Sequence, residues 1–148
     1  MIEISEFKGE YAFLSNFYPS PIVKGEIRYP SVENFFQAHK TDWIEEHLHI
    51  AMLPNPGEAK HAGRMIELRD DWEEIKGSVM YTGVLLKFLT HDHLAQRLLA
   101  TGNAKLVEGN HWGDQIWGAT WHEKRGWIGE NRLGKALMNV RAILEEMN

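Results

Sequence analysis

Residues 22–40, Ile22-Val-Lys-Gly-Glu-Ile-Arg-Tyr29-Pro30-Ser31-Val-Glu33-Asn-Phe-Phe-Gln37-Ala-His-Lys40, hold the change of period that sets the fold class. The first eight place apolar residues on either side of a Lys24-Gly25 step, the pattern of a short hairpin. Ser31 then has a hydroxyl suited to accept a hydrogen bond from the first turn of a helix. From Val32 the interval becomes three and four residues: Val32, Phe35, Phe36 and His39 share one side, and Glu33, Gln37 and Lys40 share another. This spacing predicts a helix from Val32 to about Asp42.

Outward from this segment, the pattern stays mainly helical. Upstream, Ile2 and Ile4 alternate as in a strand, and Pro19, Pro21 and Pro30 keep the extended pieces short. Downstream, Pro54-Asn-Pro-Gly57 is a break, and Glu58 to Leu68 forms a short helical segment. Asp70 or Asp71 caps a long helix from Trp72 to Leu89, whose apolar stripe is Trp72, Ile75, Val79, Leu86 and Leu89. Gly77 and Gly83 inside it each cost about 1 kcal/mol relative to Ala, a penalty that close packing would explain. A further helix runs from Asp92 to Ala100, with Gly102 suited to the left-handed position beyond its end. Lys105-Leu-Val-Glu108 is a short strand or turn, residues 109–130 are a loop rich in Trp and Gly, and Asn131 caps a last helix with Leu137, Val140 and Leu144 on its core face. With no repeat or linker, the expected fold is α+β: a mainly α-helical single domain over 1–148, with a small antiparallel sheet from the N-terminal region.

Composition excludes several chemistries. The 148 residues include 16 Lys+Arg and 21 Asp+Glu, a net charge of −5 that argues against a broad basic nucleic-acid face. With no Cys, thiolate nucleophiles, Cys-ligated zinc and disulfides are ruled out. The first residues lack the basic end and apolar run of a signal peptide, and no apolar stretch approaches 18 residues, so the expected address is the cytoplasm with no membrane partner. The six Trp lie at 43, 72, 112, 117, 121 and 127. Trp serves as core filler, interface anchor or stacking platform, and composition alone does not choose among these; Trp43 and Trp112 are expected to pack in the interior.

Two segments offer chemistry. Glu33, one turn into its helix, is either a first-turn acid complementing the helix dipole or a carboxylate placed to stabilise developing positive charge. The segment Glu108-Gly-Asn-His-Trp-Gly-Asp114-Gln-Ile-Trp117-Gly118 sets two carboxylates and two Trp in a Gly-punctuated loop, either a pocket wall or a turn pinned by Trp. Gly129-Glu-Asn-Arg-Leu-Gly134-Lys135-Ala136 fits the spacing of a phosphate-binding loop, but Ala136 stands where Ser or Thr should hold Mg²⁺. The weaker expectation left is a phosphate at the helix start beside Lys135. The pairs His47/His49 and His91/His93 are spaced i, i+2, which points them apart on a helix, so they predict surface or capping roles rather than a metal site.

Eight segments taken in order resemble one family. They are Phe13-Leu-Ser-Asn16-Phe17, residues 31–40, Asp71-Trp72 through Met80, Lys87-Phe88, Leu98 to Gly102, Lys105 to Glu108, Asp114 to Gly118, and Asn131-Arg-Leu-Gly134 through Arg141. Together they resemble the YbiA-like, or NADAR, domain over about residues 7 to 144. The resemblance implies hydrolysis of a bond between ribose C1 and nitrogen. The substrate would be a phosphoribosyl-amino-pyrimidine of riboflavin synthesis or ADP-ribose attached to guanine in nucleic acid. It implies Glu33, Trp72 and Asp114 as catalytic residues, Asn16, Lys40, Glu108, Trp117, Gly118 and Asn131 as substrate-binding residues, and neither cofactor nor metal. Cleavage through an oxocarbenium-like state suits such carboxylates. A non-catalytic module binding ADP-ribose or NAD, or a partner-binding domain using exposed Trp, remain the readings of other classes. One departure stands out: Ala119-Thr-Trp-His-Glu-Lys-Arg-Gly-Trp127 replaces a short Gly/Asp-rich turn. Trp121 and Trp127 there either suit a larger aromatic ligand or seal the core.

Overall fold

Ser31 Oγ accepts the Asn34 amide at 3.1 Å, and the helix predicted from it starts at Val32. The computed structural model describes residues 2–148. Its elements in chain order are β1 (Glu3–Ile4), β2 (Ile22–Lys24), β3 (Ile27–Tyr29), α1 (Val32–Ala38), α2 (Ile44–Ala51), α3 (Pro56–Met65), α4 (Trp72–Thr90), α5 (Asp92–Ala100), β4 (Lys105–Leu106), β5 (Thr120–His122), β6 (Gly126–Ile128) and α6 (Arg132–Met147). A 3₁₀ turn spans Gly9–Leu14. This is an α+β fold, mainly helical. It forms two compact units, residues 16–91 and residues 2–15 with 92–148.

In the unit of residues 16–91, the β2–β3 hairpin turns where predicted, with Gly25 at φ 64° and Ile22 opposite Tyr29. α1 is buried along its whole length, packed by α2, α3 and α4. It ends at Ala38 rather than Asp42: the Lys40 amide turns back to Gln37 O at 3.2 Å, and Thr41 Oγ1 takes the Trp43 amide at 3.1 Å. The core joins Ile22, Tyr29, Phe35, Ala38, Ile50, Ala51 and Ala59. Asn34 sits inside it, its Nδ2 donating to Ile50 O at 3.1 Å and Leu53 O at 2.9 Å, which ties α1 to the end of α2. α3 starts earlier than expected because Asn55 caps it, accepting from the Glu58 amide, with Pro56 in the first turn. α4 buries Trp72, Met80, Gly83, Val84, Lys87 and Phe88. That stripe is rotated from the predicted one, and Leu89 is exposed, because α4 packs through the gap at Gly83. There a Cβ would lie 2.9 Å from Phe35 Cδ1 and 3.1 Å from Val32 Cγ1. Asp71 stands at the start of α4 without capping it; its carboxylate instead pairs with Arg69 Nε at 2.6 Å and Nη2 at 3.2 Å.

In the other unit, β1 pairs in parallel with β4, Ile4 opposite Leu106. Among the described residues, the small sheet expected from the N-terminal region is therefore three two-stranded pairs, two antiparallel and one parallel. α5 ends at Ala100, with Gly102 just beyond it at φ 64°, and Leu137, Val140 and Leu144 form the buried face of α6 as expected. Within the predicted loop, β5 and β6 make a hairpin whose three-residue turn closes on Gly126 at φ 75°. Two expectations for Trp fail. Trp43 is 60% and Trp112 59% exposed, so neither packs in the interior; Trp43 immediately precedes α2, whose outer residues Ile44 and Leu48 are exposed as well. Among the described residues, no helix is long and apolar enough to cross a membrane.

Candidate active site

The predicted site residues fall into two groups, one in each unit. In residues 16–91, the Glu33 amide donates to Asn16 O at 3.1 Å, which fixes the first turn of α1. The Glu33 side chain is carried into a buried setting, 8% exposed. One turn on, Gln37 Nε2 donates to Glu33 Oε2 at 2.6 Å. A carboxylate oxygen accepts here, so this contact fixes which way the Gln37 amide is turned, with Nε2 toward Glu33. The rest of the Gln37 amide lies against Gly63 of α3, where a Cβ would overlap Oε1 and Cδ. Gly63 is thus the space that lets Gln37 reach Glu33.

Lys40 extends this face. Burial lowers its pKa, Glu33 works in the opposite sense, and Arg64, Lys60 and Lys76 push it down further. Lys40 therefore lies within electrostatic reach of one carboxylate, Glu33, and of three further cations, a positive field suited to a phosphate. Trp72 is 5% exposed and meets Phe36 edge-on at 5.1 Å, so most of its ring surface is already packed. Asn16 is buried, with Nδ2 3.2 Å from Met80 Sδ. Its Oδ1 and Gln37 Oε1 are buried with no hydrogen-bond partner. Each unmade bond costs about 1–3 kcal/mol, a signature of positions shaped for more than packing.

In the other unit, the segment from Glu108 to Gly118 is organised by Asn110, which sequence reading passed over. Asn110 Oδ1 accepts the Gly113 and Asp114 amides at 3.1 and 3.0 Å, and its Nδ2 donates to Asp114 O at 2.9 Å. Asp114 Oδ1 then accepts the Ile116 and Trp117 amides at 3.1 and 3.0 Å. These Asx bonds fold the loop back so that Gly118 touches Glu108, where a Cβ would overlap both Glu108 O and Oε2. The signal was an Asn in a Gly-flanked turn. Trp117 is half-buried, with the Arg132 guanidinium 5.9 Å from its ring.

Asn131 is a different device from the predicted N-cap. It sits at φ 50°, ψ 43°, and makes no capping bond to α6. Its Oδ1 accepts the Glu108 amide at 3.0 Å, and its Nδ2 donates to Leu106 O at 2.9 Å. Asn tolerates the left-handed backbone, and the side chain staples β4 to the loop. The amides of Asn131, Arg132 and Leu133 donate to the carbonyls of Gly118, Ile116 and Trp117 at 3.1, 3.0 and 2.9 Å. This overturns the expectation of a phosphate beside Lys135, because the helix start is already occupied by loop carbonyls. Trp121, 61% exposed, meets Trp127 at 5.2 Å across the β5–β6 hairpin and does not seal the core. Among the described residues, no group of three His, Cys, Asp or Glu could hold a metal.

A family model described as the NADAR domain matches residues 5–145. The chain belongs to the NADAR domain family. The NADAR chain is 37% identical to N-glycosidase Npun_R5314 of Nostoc punctiforme over 142 residues, covering 93% of this chain and 88% of that protein. It is 37% identical to N-glycosidase YbiA of Escherichia coli over 137 residues, covering 91% and 82%. Riboflavin biosynthesis protein VVA0006 of Vibrio vulnificus is 36% identical over 142 residues, which cover 92% of this chain. The NADAR chain spans only 36% of that relative's length. Among solved structures, the NMR structure of the Escherichia coli protein YbiA superposes with a TM-score of 0.84 at 33% identity, over 99% of this chain and 89% of that one.

Proposed function

We propose that this NADAR chain is an N-glycosidase that hydrolyses the ribose C1–N bond of a phosphoribosyl-amino-pyrimidine, an intermediate of the riboflavin pathway, in the cytoplasm. The observation that carries this reading is Glu33, a buried carboxylate held by Gln37 at 2.6 Å and within electrostatic reach of Lys40, in a chain whose near full-length relatives are named N-glycosidases. Loss of a base from C1 leaves positive charge on the sugar, and water must then attack C1. Glu33 is assigned to stabilise that charge and take the water's proton. Lys40 with its neighbouring cations is assigned the sugar phosphate, and Asn16 Oδ1 a hydroxyl or amino donor of the substrate.

The Asp114 oxygen that accepts two loop amides is engaged, and Oδ2 is assigned to proton exchange with the departing nitrogen. Trp117 is assigned contact with the substrate, while Glu108, Gly118 and Asn131 support the loop that presents it. Trp72, which packs edge-on against Phe36, is assigned the aromatic surface against the departing heterocycle. Glu33→Gln tests the reading: it keeps the shape and the Gln37 contact, and should slow base release by about 100-fold or more with unchanged unfolding. A wild-type rate in the folded variant would remove Glu33 from the mechanism. ADP-ribosyl-guanine in nucleic acid contains the same kind of bond, and the net charge of −5 weighs against a duplex partner. Product analysis on both substrates, ribose 5-phosphate from one and ADP-ribose from the other, separates the two.

A further inference from the structure

Turned away from Glu33, the same helix borders a second cavity. At 100° per residue, Phe35 and His39 lie about 200–240° around α1 from Glu33, on the opposite side. Here a cavity of about 450 Å³ is lined by Lys24, Tyr29, His39, Thr41, His47 and Arg69, with Asp42 at its edge and Ile27 and Ile44 as its apolar wall. The volume falls in the range of small-molecule sites, and an apolar wall with a few converging polar groups is their usual make-up.

The polar groups follow a pattern. His39 Nδ1 lies 2.6 Å from Phe35 O, so it is the protonated nitrogen, and Nε2 is left without a partner. His47 Nε2 lies 2.7 Å from Tyr29 Oη, a hydrogen bond that ties the second imidazole to the hairpin. The His39 and His47 rings stand 4.7 Å apart. Thr41 Oγ1 already accepts the Trp43 amide, which leaves its buried hydroxyl proton to donate elsewhere. Lys24 is set on the rim by the Gly25 turn, and Arg69 keeps donors beyond the two that Asp71 occupies. Burial is the first cause that keeps both imidazoles neutral, His39 at about 4; Lys24 and Arg69 each lower both rings further. Asp42, in the same lining, and Asp71 act on Arg69.

We propose that this cavity binds a small oxyanion, a phosphate monoester or a carboxylate, through Lys24, Arg69 and the Thr41 hydroxyl, with His39 Nε2 taking up a proton as the anion enters. The anion replaces cation repulsion at the ring with attraction, so the proton uptake follows from the geometry. Lys24, Arg69, His47, Tyr29, Asp42 and Asp71 are the charged and titratable groups facing it.

Sulfate is the probe, since it does not titrate between pH 5 and 8. Amide and imidazole NMR signals of the full chain are followed during addition of sodium sulfate at constant ionic strength. Saturable shifts at Lys24, Thr41 and His39 are expected, with binding roughly tenfold tighter at pH 5.5 than at pH 7.5. Lys24→Ala should weaken binding roughly tenfold, and His39→Gln should abolish the pH dependence while leaving binding at pH 7.5. Phenyl phosphate and benzoate, added in competition, identify which oxyanion is preferred; displacement by neither overturns the proposal. Shifts that fail to saturate, or a folded Lys24→Ala chain that binds like wild type, overturn it equally. A His39 signal that titrates identically with and without saturating sulfate removes the proton uptake.

Discussion

Two glycines in one helix offer a matched test of how α1 and α4 fit together. At Gly77 an added Cβ meets nothing within 4 Å, whereas at Gly83 it lies 2.9 and 3.4 Å from Phe35 ring carbons and 3.1 Å from Val32 Cγ1. Both positions gain about 0.8–1.0 kcal/mol of helix propensity on becoming Ala. Gly77→Ala should keep that gain. Gly83→Ala must also force apart two fully buried side chains, Phe35 and Val32, at about 1–3 kcal/mol for overpacking. The net expectation is about 1 kcal/mol of stabilisation for Gly77→Ala against about 0–2 kcal/mol of destabilisation for Gly83→Ala. At roughly 2–4 °C per kcal/mol for a chain of this length, the two variants should differ by several degrees in Tm. Urea and thermal unfolding, followed by circular dichroism, measure this directly. If Gly83→Ala stabilises the protein as much as Gly77→Ala does, the tight α1–α4 contact is not what the Gly preserves.

Other predictions use different readouts. Gly63→Ala fills the space behind Gln37 and should pull its amide off Glu33, lowering kcat about tenfold with little change in KM, whereas His61→Ala on the exposed side of α3 should change neither. Equal effects from both would deny Gln37 its positioning role. His39 sets a pH dependence of stability. Its folded pKa, about 4, lies below its ordinary 6.5, so between these values the unfolded chain binds more protons, and stability should fall as pH drops from about 6.5 towards 4. Denaturant midpoints between pH 7 and 5 check this, and His39→Gln should flatten the slope.

What could be read beforehand depended on how local the cause was. Ser31, the Gly25 turn and Gly102 act over three or four residues, and each performs as its chemistry suggests. Strand β1 showed as the Ile2/Ile4 alternation, but its parallel partner β4, about a hundred positions away, was too distant to show. α2 starts at Trp43 without a side-chain cap and leaves Trp43, Ile44 and Leu48 exposed, so none of the usual signals marks it. In the candidate site, the Glu33–Gln37 contact followed from helical spacing alone, whereas Lys40 lies in the turn past the end of α1. Gly63 did not, because its role depends on which helix packs against Gln37. Asn131 is at the start of α6 as expected, yet its side chain serves the strand and loop before it. The cavity behind His39 needed the hairpin, α1 and α2 together, and no linear pattern joins those.

The β5–β6 hairpin leaves and returns to a base that is fixed without it. Asn110 and Ala119 bond at 3.0 Å on the way in, and Glu130 and Asn131 bond to Gln115 and Gly118 at 2.7 and 3.1 Å on the way out. Trp127 is also held, its indole N–H donating to Glu3 at 2.7 Å. Only the exposed tip, residues 122–125, lies beyond these ties. Chain length can therefore change there without touching the turn that holds Asp114: the tip is a splice point, where a tag, a fluorophore or a foreign loop can be carried on the scaffold beneath.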